Sequence, residues 1–171
     1  TAVVPELGLP IDQSRLGLLP ETLAPLLRLR VALKRQLAAL TPHDCRRRDL
    51  QARAAALKWL LVVAFGYAGY KRARFGRIET HEAITAYSRE AMLRAKEVAE
   101  QLGYAVLHLY VDGLWVQRSG VKTVAALQPL LAAIEEATGL SIALEGFYRW
   151  IAFLPAKGDA RLSVPNRYFG V

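Results

Sequence analysis

Residues 58–77 read KWLLVVAFGYAGYKRARFGR, an apolar helical run with one lysine at its head that breaks into a glycine, tyrosine and arginine segment. A helix that buries an apolar stripe has no packing use for an ammonium group, whereas one that presents a cation to a polyanion does. Gly66, Gly69 and Gly76 are expected to end the helix and let backbone approach something closely. Lys71, Arg72, Arg74 and Arg77 sit beside Tyr67, Tyr70 and Phe75. Cations interleaved with aromatic rings suit a nucleic-acid backbone.

The charge around this stretch points the same way. Residues 28–77 hold 13 Lys or Arg against Asp44 and Asp49 only, an excess of +11, while the other residues hold 10 basic and 13 acidic side chains, net −3. The overall +8 of the 171 residues therefore belongs to one third of the chain, and a phosphate-rich partner should dock there. An apolar content of 53% suits one medium domain, or a small lobe plus a domain, with a real core. Cys45, the single cysteine, excludes an internal disulfide and offers no metal quartet. No apolar run reaches the roughly 18 residues of a membrane span, and no signal segment opens the chain. These features predict a soluble, cytoplasmic protein with no membrane contact. The chain starts at Thr1 and its only methionine is Met92, so either an initiator methionine was removed or the chain was cut from something longer.

Working outward, residues 1–19 read as an extended N-terminal arm with one strand. Pro20, Glu21 and Thr22 open a helix that Thr41 and Pro42 close near Leu40, and a second helix from about Asp44 ends near Gly66. A third helix fits Thr80 to Leu102, with Gly103 as its stop. The period then changes from 3.6 to 2. Tyr104 to Val111 alternates, Asp112-Gly113 makes a hairpin turn, and Leu114 to Gln117 returns. A helix over 121–138 and strands at 140–144, 147–154 and 163–171 complete the pattern. The expectation is an α+β protein: a basic helical hairpin over 20–76 joined to a small antiparallel-sheet domain over 77–171 with helices packed on one face.

These residues resemble family-B DNA polymerases over roughly residues 18–171. Leu26-Leu27-x-x-Arg30-x-x-x-Lys34 matches the Arg and Lys spaced four apart on a fingers helix of that family. Its second fingers helix reads Lys-x-x-x-Asn-Ser-x-Tyr-Gly, and here Lys58 leads to Gly66. GYAGYKRARFGRIETHEAITAY is similar to the connection from fingers to palm, and residues 108–116 fall where the family has Tyr-Gly-Asp-Thr-Asp-Ser. FLPAK and PNRYFG are similar to the end of the palm, which touches the primer duplex. The resemblance implies that residues 20–76 are fingers-like and 77–171 palm-like. It implies that Arg30, Lys34 and Lys58 hold the triphosphate of a nucleotide, and that Tyr67, Gly69, Tyr70, Lys71, Arg72, Arg74, Arg77, Arg167 and Tyr168 face DNA. It also implies a role in replication or repair, with a polymerase or repair protein as a further partner.

The chemistry of the family is only partly present. Two divalent ions need paired carboxylates, yet the hairpin keeps Asp112 alone, with Tyr110 and Val111 at the family's first aspartate and its threonine. The palm's other aspartate motif has no counterpart before Pro20, where Asp12 stands in the wrong context. Val62, Val63 and Phe65 take the places of Asn, Ser and Tyr, and Asn166 that of a lysine. Asp112 is therefore a vestigial or partial catalytic residue and metal ligand, and Mg²⁺ is the cofactor only if the protein is active. As a turn residue beside Gly113 it has a structural reading too. His43, His81 and His108 share no metal spacing and suit surface or capping roles. Three functions follow: an inactive fingers and palm portion that binds primer-template DNA, one piece of a working polymerase completed by missing sequence or a partner chain, or a protein-docking module without nucleic-acid contact.

Overall fold

In the computed structural model, residues 2–4, 9–10 and 14–171 are described. In the arm, β1 (Ala2–Val4) pairs antiparallel with β2 (Leu9–Pro10), so the single expected strand is a short pair. Asp12 lies outside the described residues. The chain divides into two compact units, residues 1–86 and 87–171, with the boundary inside helix α3 (Ile78–Gln101). The fold is α+β, and among the described residues no helix is long and apolar enough to cross a membrane.

In the first unit, α1 (Leu18–Ala39) and α2 (Arg47–Ala68) form where apolar residues recur at helical spacing. Leu26, Leu33 and Leu37 make one stripe and Leu50, Ala54 and Leu57 another, and the two bury against each other around Leu33, Ala54 and Leu57. The link between them is tied at both ends. Asp44 accepts from the backbone N–H of Arg46 at 2.9 Å and from its guanidinium at 2.8 Å. Arg47 donates to the carbonyls of Leu37 and Leu40 at 3.1 and 3.3 Å, at the end of α1 where carbonyls lack their full set of helix partners.

α2 continues through Gly66, where an added Cβ would meet nothing within 4 Å, and ends at Gly69. A Cβ on Gly69 would lie 2.9 Å from Nδ1 of His81. The His81 ring stacks on Phe65 with centroids 4.1 Å apart, and its Nδ1 is 3.2 Å from the Phe65 carbonyl. Successive turns then run from Tyr67 to Gly76, and the N–H of Arg77 returns to the Ala68 carbonyl at 2.8 Å. A Cβ on Gly76 would run into the Tyr70 carbonyl. The close approaches expected of Gly69 and Gly76 are thus made by the chain's own His81 and Tyr70, and Gly66 does not end the helix.

In the second unit, α3 stops in a left-handed Gly103 (φ 77°), with the N–H of Tyr104 returning to the Ala99 carbonyl at 2.9 Å. α4 (Val124–Thr138) starts at Thr123, whose hydroxyl accepts from the Ala126 N–H at 3.2 Å, and closes at Gly139 (φ 68°). The core consists of Ala95 and Ala99 of α3, Tyr104, and Leu127, Leu130 and Ile134 of α4. Val106, Leu114 and Val116 pack against it from the hairpin β3 (Ala105–Tyr110) and β4 (Gly113–Gln117). A second hairpin pairs β5 (Ile151–Pro155) with β6 (Ser163–Gly170).

Two expectations are corrected here. Residues 140–144 are not a strand. Ile142 and Leu144 still pack on the core, but the Ile142 N–H donates to the Glu135 carboxylate at 2.9 Å, with the Ser141 hydroxyl 3.2 Å from the same oxygen. A side chain of α4 thus takes the amide that a strand neighbour would use. The hairpin tip is Val111 and Asp112, because Tyr110 pairs with Gly113. Gly113 lies in β4 beneath the indole of Trp115, where a Cβ would meet ring atoms at 3.0 Å. Its lack of a side chain serves that ring.

Candidate nucleic-acid interface

The first unit carries the cations. Arg30 lies on the seam side of α1 between Leu26 and Leu33, half-buried, and its Nε is buried without a hydrogen-bond partner. Lys34 and Lys58 are exposed. Arg47 sits beside Leu37 and Leu40, and Leu33 packs with Ala54 and Leu57, so the antiparallel hairpin sets Arg30 level with the turn of α2 that holds Lys58. Beyond α2, Lys71, Arg72, Arg74 and Arg77 are exposed, as are Tyr67 and Tyr70. The Arg74 guanidinium lies 5.3 Å from the centroid of Phe75. In residues 28–77 the carboxylates engage only Arg46 and Arg53. The other cations there have no ion-pair partner among the described residues.

The second unit holds Asp112 at the exposed hairpin tip, next to Val111 with φ 53°. Mg²⁺ takes its protein ligands as carboxylates and otherwise stays hydrated. No group of three His, Cys, Asp or Glu able to hold a metal occurs among the described residues. Asp112 alone does not fit a two-ion site.

Behind the tip, sequence reasoning missed an aromatic cluster. His108 lies 4.8 Å from Phe153 and 5.3 Å from Trp115, and runs nearly parallel to Tyr110 at 6.4 Å. Tyr168 lies 5.3 Å from Trp115 and 5.9 Å from Phe153. The cluster joins the two hairpins of this unit, and the Nε2 of His108 is buried in it without a partner. A side-chain hydrogen bond with Tyr148 lifts the Tyr168 hydroxyl above its ordinary pKa, and burial and the Glu145 carboxylate add to the rise. Tyr168 is half-buried, with its ring against Trp115 and Phe153, whereas Arg167 is exposed. Asn166 has φ 56°, a conformation that asparagine tolerates better than lysine. Its backbone thus gives a local reason for the residue type. Strand pairing sets His108 opposite Trp115 and Phe153 opposite Tyr168, and the two hairpins, which share no strand pairing, meet through these rings.

The sequence matches the family model for DNA polymerase family B over residues 6–115. The chain belongs to that family. Among curated family-B relatives it is 36% identical to DNA polymerase 2 of Saccharolobus solfataricus over 118 residues, 69% of this chain and 17% of that protein. It is 28% identical to the DNA polymerase of Archaeoglobus fulgidus over 163 residues, 95% of this chain and 21% of that one. Its fold is similar to the family B DNA polymerase from Pyrobaculum calidifontis, with a TM-score of 0.70 and 30% identity over 98% of this chain and 20% of that one. The family-B chain thus spans about a fifth of the length of the relatives it matches.

Proposed function

We propose that the chain is the fingers and palm portion of a family-B polymerase, that it binds primer-template DNA, and that it does not transfer nucleotides on its own. The observation that carries this is the imbalance between its two kinds of charge. A +11 excess lies between residues 28 and 77 with almost no carboxylate opposite it, while the hairpin where the family keeps carboxylates presents Asp112 alone. On this reading Arg30, Lys34 and Lys58 receive a triphosphate. The buried, unpartnered Nε of Arg30 is a donor that a phosphate oxygen would satisfy. Tyr67, Gly69, Tyr70, Lys71, Arg72, Arg74, Arg77 and Arg167 line the DNA side, and Tyr168 supports it through its ring. Fluorescence anisotropy with primer-template DNA is expected to give micromolar or better affinity that falls by tenfold or more between about 50 and 200 mM salt. Affinity indifferent to salt rejects the reading, and primer extension by the chain alone rejects its inactive half.

A second reading follows from the chain spanning only about a fifth of its relatives. Here the chain is one piece of a working polymerase, with the other catalytic carboxylate and the remaining domains in further sequence or a partner chain, and with Mg²⁺ as cofactor. The exposed position of Asp112 is compatible with that. Its required outcome is primer extension by the reconstituted assembly that Asp112→Ala abolishes.

A further inference from the structure

The seam between α1 and α2 has two flanks, and the cations read above as triphosphate contacts stand on one of them. At about 100° per residue, Arg30 and Lys34 lie to one side of the buried Leu33, and Lys58 lies to the same side of the buried Leu57. The other flank opens into a cavity of about 330 Å³ lined by Leu29, Leu33, Arg53, Ala56 and Leu57. Its floor is aliphatic. Leu29 is 52% exposed there, and Leu60, on the same flank of α2 by helical spacing, is 55% exposed. The one charged group of the lining is already engaged, since Arg53 meets Asp49 at 3.0 Å. Beyond Leu29 on α1 stand Arg28 and Arg35, two turns apart, both exposed and without an ion-pair partner among the described residues. The carboxylates of the two helices are Glu21, two turns before Arg28, and Asp49, held by Arg53.

We infer that this groove docks an acidic amphipathic helix of a partner protein, with its apolar stripe over Leu29, Leu33, Ala56 and Leu57 and its carboxylates toward Arg28 and Arg35. The inference goes beyond the nucleic-acid reading and concerns the flank which that reading leaves without an occupant. Nucleic acid gains little here, because the lining has no ring on which a base could stack and no unpaired side-chain donor for a phosphate. A small molecule is no better served, since the cavity is open and lacks convergent polar groups to orient one. A second copy would bring its own +11 segment, with its own Arg28 and Arg35, against the first. A helix with apolar residues at i, i+3, i+4 and i+7 covers the aliphatic floor. Glutamates along its edges then meet the two free arginines and the positive field of the hairpin.

The test uses the full 171-residue chain and a fluorescein-labelled peptide of about 16 residues, long enough to form a helix when bound. The peptide has leucine at i, i+3, i+4 and i+7 and glutamate on its other faces. Two control peptides separate the requirements: one scrambles the same composition, and the other replaces each glutamate with lysine. The acidic amphipathic peptide is expected to bind at least about tenfold more tightly than either control, and to gain helicity by circular dichroism as it does. Leu29→Gln should weaken it by about tenfold, the loss of one apolar anchor, while leaving the far-ultraviolet spectrum of the protein and its affinity for primer-template DNA unchanged. Arg28→Gln with Arg35→Gln should weaken it too and flatten its salt dependence. Equal binding of the scrambled peptide would show charge attraction without a groove and overturn the inference, as would full peptide affinity in Leu29→Gln. Self-association that disappears with Leu29→Gln would assign the groove to a second copy, and loss of DNA affinity in that variant with its fold intact would assign it to nucleic acid. Either result overturns the inference.

Discussion

Val111 occupies the hairpin tip with φ 53° and is 69% exposed. A β-branched residue in the left-handed region brings its side chain against its own carbonyl, at a cost of roughly 1–2 kcal/mol. So exposed a side chain gains little packing in return. Val111→Gly should therefore raise stability by about 1 kcal/mol, read as a higher urea midpoint at unchanged slope; a lower midpoint would mean that the tip is not strained. The adjacent Asp112 illustrates how little of this was legible beforehand. Asp-Gly is a strong turn signal, but the strand register and the indole over Gly113 move the turn one residue earlier. That contact depends on how Trp115 is packed, which a local pattern does not encode.

Among the elements, the helices were the most legible. The spacing of Leu26, Leu33 and Leu37 against Leu50, Ala54 and Leu57 fixes which sides meet, and Thr123, Gly103 and Gly139 mark ends by local chemistry. Residues 140–144 were misread because Leu140, Ile142 and Leu144 alternate just as a paired strand would, while the group that takes the Ile142 amide sits in the preceding helix. The His108 cluster was invisible for a related reason, since His108 and Phe153 lie in separate hairpins that share no strand pairing and meet only through their rings. The link between α1 and α2 carries a pH prediction. The guanidinium of Arg46, by hydrogen bonding, lowers the Asp44 carboxyl from 3.8 to about 2. The folded state thus favours the ionised form. Its contribution to stability is complete above the ordinary carboxyl range and disappears as pH falls toward 2. With the guanidinium largely open to water the effect is small and weakened by salt. Asp44→Asn should lower stability slightly at pH 7 and by clearly less near pH 2, in parallel acid and neutral urea titrations. An equal deficit at both pH values would contradict the assignment.

At the scale of the whole molecule, the family assignment and the distribution of charge support one functional reading: a basic helical unit suited to polyanions, and a sheet-bearing unit whose hairpin presents one carboxylate. The sequence carried both, since counting charge by segment needs no coordinates. It could not reveal that Gly69 and Gly76 are filled by the chain's own atoms, because the turns that bring His81 and Tyr70 there arise only in the folded state. Each sheet pairs strands that are neighbours in sequence, and the packed helices α1 and α2 are joined by a short link. This has a kinetic meaning. No strand has to wait for a distant partner, so little loop-closure entropy is lost before the pairings that recover it. The fast phase of refolding from denaturant, followed by stopped-flow fluorescence, should be over within milliseconds, ahead of the tens of seconds that X–Pro isomerisation takes, and a fast phase stretched to seconds would show that gathering the aromatic cluster limits the rate. A chain so organised can assemble its ladders in the order in which they leave a ribosome, each closing soon after its second strand emerges.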